Sequence, residues 1–138
     1  MFSPDDPFAG IDLDDCLDDA GNPKPWARTV LERFADTYME ISPSGCGIKI
    51  WCKATLGKAI VEAVSDGSIE MYDRGRYFCV TGQAFRGAPL EIEDHQADVT
   101  ELVQRLARPH VSYETNGHWS ANPQADGTIP DGRRHRFW

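Results

Sequence analysis

The sequence is poor in the features that mark export, membrane insertion or a zinc fold. None of its 138 residues fall in a run approaching the roughly 20 consecutive apolar positions of a membrane span. The segment MFSPDDPFAG has neither a basic n-region nor an apolar h-region, so no secretory signal is expected and a cytoplasmic location is. Four cysteines (Cys16, Cys46, Cys52, Cys79) form no CxxC pair, and four histidines (His95, His110, His118, His135) stand at no finger spacing from them. Zinc ribbons and thioredoxin-like redox motifs are thereby excluded; the thiols are expected reduced and the histidines on the surface. Gly57-Lys58 lacks the upstream glycine of a P-loop. Basic residues are also in deficit, 14 Lys+Arg against 22 Asp+Glu for a net charge of −8. That balance speaks against non-specific nucleic-acid binding, whose phosphate contacts come mainly from Lys and Arg.

The deficit is local. Asp5, Asp6, Asp12, Asp14, Asp15, Asp18 and Asp19 all lie in the first 20 residues, with no Lys or Arg among them; without these seven the chain holds 15 acidic and 14 basic residues. What that stretch does decides how the charge is read. The rest of the composition, 41% hydrophobic and 26% charged, is that of a globular domain, and the length suits about one.

Phe8–Leu13 is an apolar run with β-branched Ile11, expected as a buried strand ending in carboxylates. Asp15–Lys24 reads as a polar loop turning at Gly21-Asn22-Pro23. Pro25 suits the first position of a helix whose apolar residues Trp26, Ala27, Val30, Leu31 and Phe34 recur through about Thr37. Tyr38–Ser42 and Ile48–Cys52 read as a hairpin around Pro43–Gly47. Leu56–Val64 is expected as a helix or an irregular excursion closed by Asp66-Gly67. Ser68–Tyr72 and Arg76–Thr81 are expected to pair across Asp73-Arg74-Gly75, and Glu91–Ala107 to form an amphipathic helix stopped by Pro109. These elements describe an α+β domain over 1–108 with a mixed, largely antiparallel sheet flanked by helices, and an irregular tail over 109–138 from which Trp119 or Phe137-Trp138 is expected to dock on the body.

Three constellations carry chemical potential. In a strand, residues two apart share a face, so Asp12 and Asp14 project together. Paired carboxylates ionised at neutral pH need a cation, and hard ions such as Mg2+ or Mn2+ suit oxygen donors; the plain alternative is a strand running out into a solvated acidic loop. In Glu40–Ile50, Gly45 and Gly47 around Cys46 allow backbone N–H groups to converge on an anion, Ser42 and Ser44 add hydroxyls, and Lys49 adds a point charge for phosphate. The alternative there is a glycine-rich hairpin turn with an exposed lysine. In Ile69–Phe78, Glu70 alternates with Ile69 and Met71 and is placed to be a third ligand, while Arg74 and Arg76 suit bidentate phosphate contacts. The alternative is a surface ladder of ion pairs.

Taken in order, the three segments resemble the archaeo-eukaryotic primase superfamily, and among its members the prim-pol (primase-polymerase) domains of phage, plasmid and mobile-element replication proteins. Asp12 and Asp14 match a DxD strand, SPSGCGIKIW a small-residue motif ending in a polar or basic residue, and Glu70 in IEMYDRGRYFCVTG the acidic residue of a third strand. Where the second motif commonly ends in histidine, Lys49 stands here. The likeness runs from about Asp6 to Leu106. It implies an RRM-like catalytic half and two-metal nucleotidyl transfer. Asp12, Asp14 and Glu70 would be catalytic metal ligands for Mg2+ or Mn2+, and Ser42, Ser44, Gly45, Gly47, Lys49, Arg74 and Arg76 would bind NTP or dNTP opposite a DNA template. Such domains usually have a further α/β stretch before the DxD strand and often a helicase downstream. The N-terminal part is therefore expected to be missing, and a replicative helicase or other replication protein is an expected partner.

The alternative function is a non-catalytic module of the same fold that binds nucleotide, nucleic acid or a replication protein, a reading to which Arg133-Arg134-His135-Arg136 lends some support. A metal-dependent nuclease ranks third, since no His or Lys neighbours the DxD pair in sequence.

Overall fold

The computed structural model describes residues 1–108; the expectations for 109–138, including the docking of Trp119 and Phe137-Trp138 and the placement of His110, His118 and His135, lie outside the described residues. Five strands and two helices follow in the order β1 (Phe8–Asp14), α1 (Pro25–Arg33), β2 (Met39–Ile41), β3 (Ile48–Lys53), β4 (Ile60–Val64), β5 (Gly67–Tyr72) and α2 (Gln96–Leu106). The strands form one sheet in the order β2-β3-β1-β5-β4, with every neighbouring pair antiparallel. The α+β class is as expected. The sheet itself needs no parallel strand; a single parallel bridge, Lys53 with Asp94, lies outside it.

Period-two alternation divides the sheet into two chemistries. Ala9, Ile11 and Leu13 of β1, Ile48, Ile50 and Cys52 of β3, and Ile69 and Met71 of β5 are fully buried. They share one core cluster with Trp26, Ala27, Val30 and Leu31 of α1, with Phe34, and with Val99, Leu102 and Leu106 of α2. Both helices therefore cover the same face, and Arg33 of α1 ties them together through Asp98 and Glu101 of α2. Each fully buried Ile, Leu or Met contributes about 1.5–3 kcal/mol relative to exposure, which makes this face the main source of stability.

The first helix starts at Pro25 as expected and ends four residues early, at Arg33. Thr37 is claimed by tertiary bonds instead: its hydroxyl donates to the Trp51 carbonyl at 2.6 Å and accepts the Glu93 amide at 2.9 Å. The hairpin of β2 and β3 forms around the expected turn, pairing Glu40 with Lys49.

Four expectations are corrected. Leu56–Val64 is neither helix nor excursion, because Ile60–Val64 is a strand, β4, that turns through Ser65-Asp66 into β5. Ile60, Val61 and Val64 are β-branched and favour the pleat, and Asp66 fixes the turn by accepting the Trp26 indole N–H at 2.9 Å. Arg76–Thr81 is not a strand, since β5 already has β1 on one edge and β4 on the other. The second helix begins at Gln96 rather than Glu91. His95 is buried, its Nδ1 2.8 Å from Asp98 Oδ2 and its ring 4.8 Å from Phe34, because it opens α2 against the end of α1.

Segment 74–83 instead crosses the second face of the sheet as a strap. At one end Phe2 donates to the Arg76 carbonyl and Gly75 to the Phe2 carbonyl, both at 2.9 Å. At the other, Thr81 Oγ1 donates to the Ile41 carbonyl at 2.7 Å and the Ile41 amide to the Gln83 carbonyl at 2.9 Å. The strap thus runs from β5 to the outer edge of β2.

Candidate functional site

Gly10, Asp12 and Asp14 alternate with the buried Ala9, Ile11 and Leu13, so they project from the face opposite the helices. Antiparallel register then builds a row across four strands. Asp12 pairs with Lys49 on β3 and with Glu70 on β5, and Lys49 pairs in turn with Glu40 on β2. Charges directly opposite on adjacent strands stand roughly 5 Å apart at Cβ and interact strongly.

The centre of the row is an ion pair, Lys49 Nζ to Asp12 Oδ2 at 2.5 Å, with side chains 12% and 9% exposed. Burial pushes the Asp12 carboxyl up from its ordinary range; the Lys49 bond and charge work against this, while Asp14 and Glu70 add to it. Asp12 Oδ1 is buried with no hydrogen-bond partner among the described residues. Glu70 accepts the Tyr72 hydroxyl at 2.7 Å and has Arg76 Nη2 at 3.5 Å. Burial and the Glu70 bond together raise the Tyr72 hydroxyl's pKa. Asp14 pairs with Ser68, whose hydroxyl lies 3.4 Å from Asp14 Oδ2.

Residues 42–47 lie beside the carboxyl end of β1. Their donors are turned into the loop: the Gly45 amide donates to the Ser42 carbonyl at 2.9 Å, the Gly47 amide to Ser42 Oγ at 3.2 Å, and the Cys46 amide to Ser44 Oγ at 3.4 Å. Ser42 Oγ and Ser44 Oγ are 2.8 Å apart, and the Cys46 thiol donates to Asp15 Oδ1 at 3.2 Å. Gly47 has a packing reason for its identity, since a Cβ there would meet the Leu13 carbonyl oxygen at 2.9 Å.

The residues singled out from sequence are therefore distributed in three groups. Asp12, Glu70, Lys49 and Arg76 share the row or its border, with Asp14 two residues along the same face of β1. Ser42, Ser44, Gly45 and Gly47 form the turn at the strand end. Arg74 is apart from both, bound at 3.0 Å to buried Asp73, which also accepts the Leu56 and Gly57 amides.

Sequence reasoning missed the roof of the site. Phe78 of the strap lies over Lys49, Nζ to ring centroid 4.7 Å, and meets Phe2, Trp51 and Tyr72 edge-on. It also missed Glu40, fully buried, whose carboxylate accepts the Tyr38 hydroxyl at 2.7 Å and the strap amides of Thr81 at 2.6 Å and Gly82 at 3.1 Å. The period-two step from Asp12 to Gly10 was the available signal, because a glycine on a strand face marks close approach by another group.

The donors suit a hard divalent cation in kind: carboxylates on one face, one of them with an unpartnered buried oxygen. Their spacing does not yet form a cage. Among the described residues no three acidic, histidine or cysteine side chains gather closely enough to hold a metal, and Lys49 occupies Asp12.

Among the described residues no helix is long and apolar enough to cross a membrane. No family model matches the chain. Over 91 residues, 63% of the chain, it is 40% identical to a DNA primase-polymerase of Nitratiruptor phage NrS-1, and this stretch spans 12% of that protein's length. An identity of that level over so many residues relates this chain to a segment of the phage DNA primase-polymerase.

Proposed function

We propose that the chain is the nucleotide-handling portion of a DNA primase-polymerase-type nucleotidyltransferase of a phage or mobile element, acting on NTP or dNTP at a DNA template. The observation that carries this reading is the row Glu40–Lys49–Asp12–Glu70, in which three carboxylates and an ammonium stand in register in a chain related to a phage primase-polymerase. Asp12, Glu70 and Asp14 are the residues that would hold Mg2+ or Mn2+. When bound, such ions neutralise triphosphate charge and lower the pKa of the attacking hydroxyl. Lys49 supplies positive charge for phosphate, with Arg76 at the border of the row. Ser42, Ser44 and the Gly45–Gly47 turn offer hydroxyls and amides at the strand end, once those donors exchange their internal bonds for phosphate oxygens. Arg74 would need to leave Asp73 to take part. A replicative helicase or other replication protein is the proposed macromolecular partner.

Primer-template extension with Mn2+ and dNTPs tests the reading. Asp12→Asn and Glu70→Gln are expected to lower incorporation by at least a hundredfold with the fold retained by circular dichroism, although Asp12→Asn also lowers the melting temperature by leaving Lys49 unpaired; full activity in the double variant would remove these residues from the assignment.

A second reading is favoured by the closed state of the row. With Asp12 neutralised by Lys49 and the carboxylates ungathered, the chain also fits a non-catalytic module that binds nucleotide or a replication protein. Nucleotide binding without incorporation is the result that selects it.

A further inference from the structure

We infer that Lys49 is a resident counter-ion on Asp12 that a divalent cation must displace, and that Phe78 of the strap is the side chain that keeps it there. The inference rests on the proposed function for the identity of the ion, and it concerns how that ion gains entry.

Four observations converge. The Lys49 ammonium sits 2.5 Å from Asp12 Oδ2 although Glu40, its register partner on the other side, is also a carboxylate. Glu40 is already committed to the Tyr38 hydroxyl and two strap amides, so Asp12 is the carboxylate left for Lys49. Both members of the pair are nearly buried, and the Phe78 ring closes over the ammonium with a cation–π contact. The remaining Asp12 oxygen is buried with no donor among the described residues, beside Glu70 in register.

An ammonium and a divalent cation compete for one carboxylate even though it has two oxygens, because like charges a few ångströms apart in a partly buried site repel by several kcal/mol. Binding is then an exchange: the cation takes Asp12 and Glu70, and Lys49 leaves. Its four-carbon stem lets the released ammonium swing while remaining near the row, where an incoming phosphate gives it a new partner. Cation and nucleotide therefore help each other. By linkage the assistance is equal in both directions, and Lys49 is its physical carrier.

The test uses the full chain and Mn2+ alone, followed by calorimetry and by the electron paramagnetic resonance of free Mn2+. Lys49→Met is expected to bind Mn2+ at least tenfold more tightly than the unmodified chain, and to lose the tightening of Mn2+ binding that dATP produces in the latter. A salt bridge that merely holds the fold together would not move these two quantities in opposite directions. Lys49→Met leaves Asp12 buried and unpaired, which is costly to stability. Should it fail to fold, Phe78→Ala retains the charge and loosens the hold on Lys49; it is expected to tighten Mn2+ severalfold. The neutral pair Asp12→Asn with Lys49→Met is expected to bind no Mn2+ at this site. Unchanged or weaker Mn2+ binding in Lys49→Met, or no Mn2+ binding by either protein, overturns the inference. Tighter Mn2+ in the variant with no dNTP incorporation by the unmodified chain upholds the exchange and removes the nucleotidyltransferase reading. Incorporation by the unmodified chain with unaltered Mn2+ affinity in the variant does the reverse.

Discussion

Phe78 rests on Gly10 so closely that a β-carbon at Gly10 would come within 2.4 Å of its ring. The strap therefore reaches the sheet only because β1 carries no side chain there, and Gly10 and Asp12, neighbours on one face, serve the roof and the floor of the same site. Gly10→Ala is expected to lift Phe78 and to cost about 1–3 kcal/mol through overpacking, seen as a lower denaturant midpoint with little change in slope. An unaltered midpoint would show that the ring moves aside freely.

The far end of the strap hangs on Glu40. Replacing its charge, Glu40→Gln, weakens two bonds to strap amides and is expected to cost about 2 kcal/mol. Hydrogen exchange at the Thr81 and Gly82 amides should accelerate well beyond that of the β3 amides. Uniform acceleration across the sheet would instead mean that Glu40 supports the whole fold rather than the strap.

Asp73 predicts the acid response. Burial raises its carboxyl, but Arg74 and the Gly57 and Leu56 amides together outweigh this and hold it down at about 2. A carboxyl depressed in the folded state contributes stability above its unfolded pKa of about 3.9, and this contribution is lost as pH falls toward 2. Melting temperatures measured between pH 5 and pH 2 should drop more steeply in the unmodified chain than in Asp73→Asn, which has no charge to lose. Parallel curves would exclude Asp73 as a source of the dependence.

The thiols divide by position. Cys16 and Cys52 are fully buried, and burial pushes both up to about 12, whereas Cys79 is exposed. Alkylation at pH 8 attacks the thiolate, so Cys79 should react in minutes while Cys16 and Cys52 wait for unfolding. Mass spectrometry of the native protein reads this directly; early labelling of Cys52 would show that β3 opens locally.

The strand pattern around Asp12 and Asp14 was legible because alternation is local: Ile11 and Leu13 bury themselves and turn the carboxylates the other way. The hairpin containing Lys49 was legible for the same reason. That Lys49 would bind Asp12 was not, since it depends on β1 entering between β3 and β5, a non-local choice no short window records. Ile60–Val64 defeated the reading because an edge strand has no continuous buried side to set its period; all five of its residues are exposed or half-buried. Arg76–Thr81 looked like a strand by composition, yet β5 had no free edge. His95 carries no local sign of burial: Phe34, which its ring stacks against, comes from a segment some 60 positions away.

The place of β1 has a kinetic consequence. Among the described residues it precedes the other strands in chain order and is the middle strand of the sheet, bridging two hairpins, β2–β3 and β4–β5, each closed by a short turn. Those hairpins need only nearby residues, whereas Leu13 must find both Ile48 and Ile69. Insertion of β1 is then the slow, high-contact-order event of folding. The acidic row comes into being only at that event, so the repulsion among Asp12, Asp14 and Glu70 is met after the hairpins have formed and with Lys49 already in place on its strand.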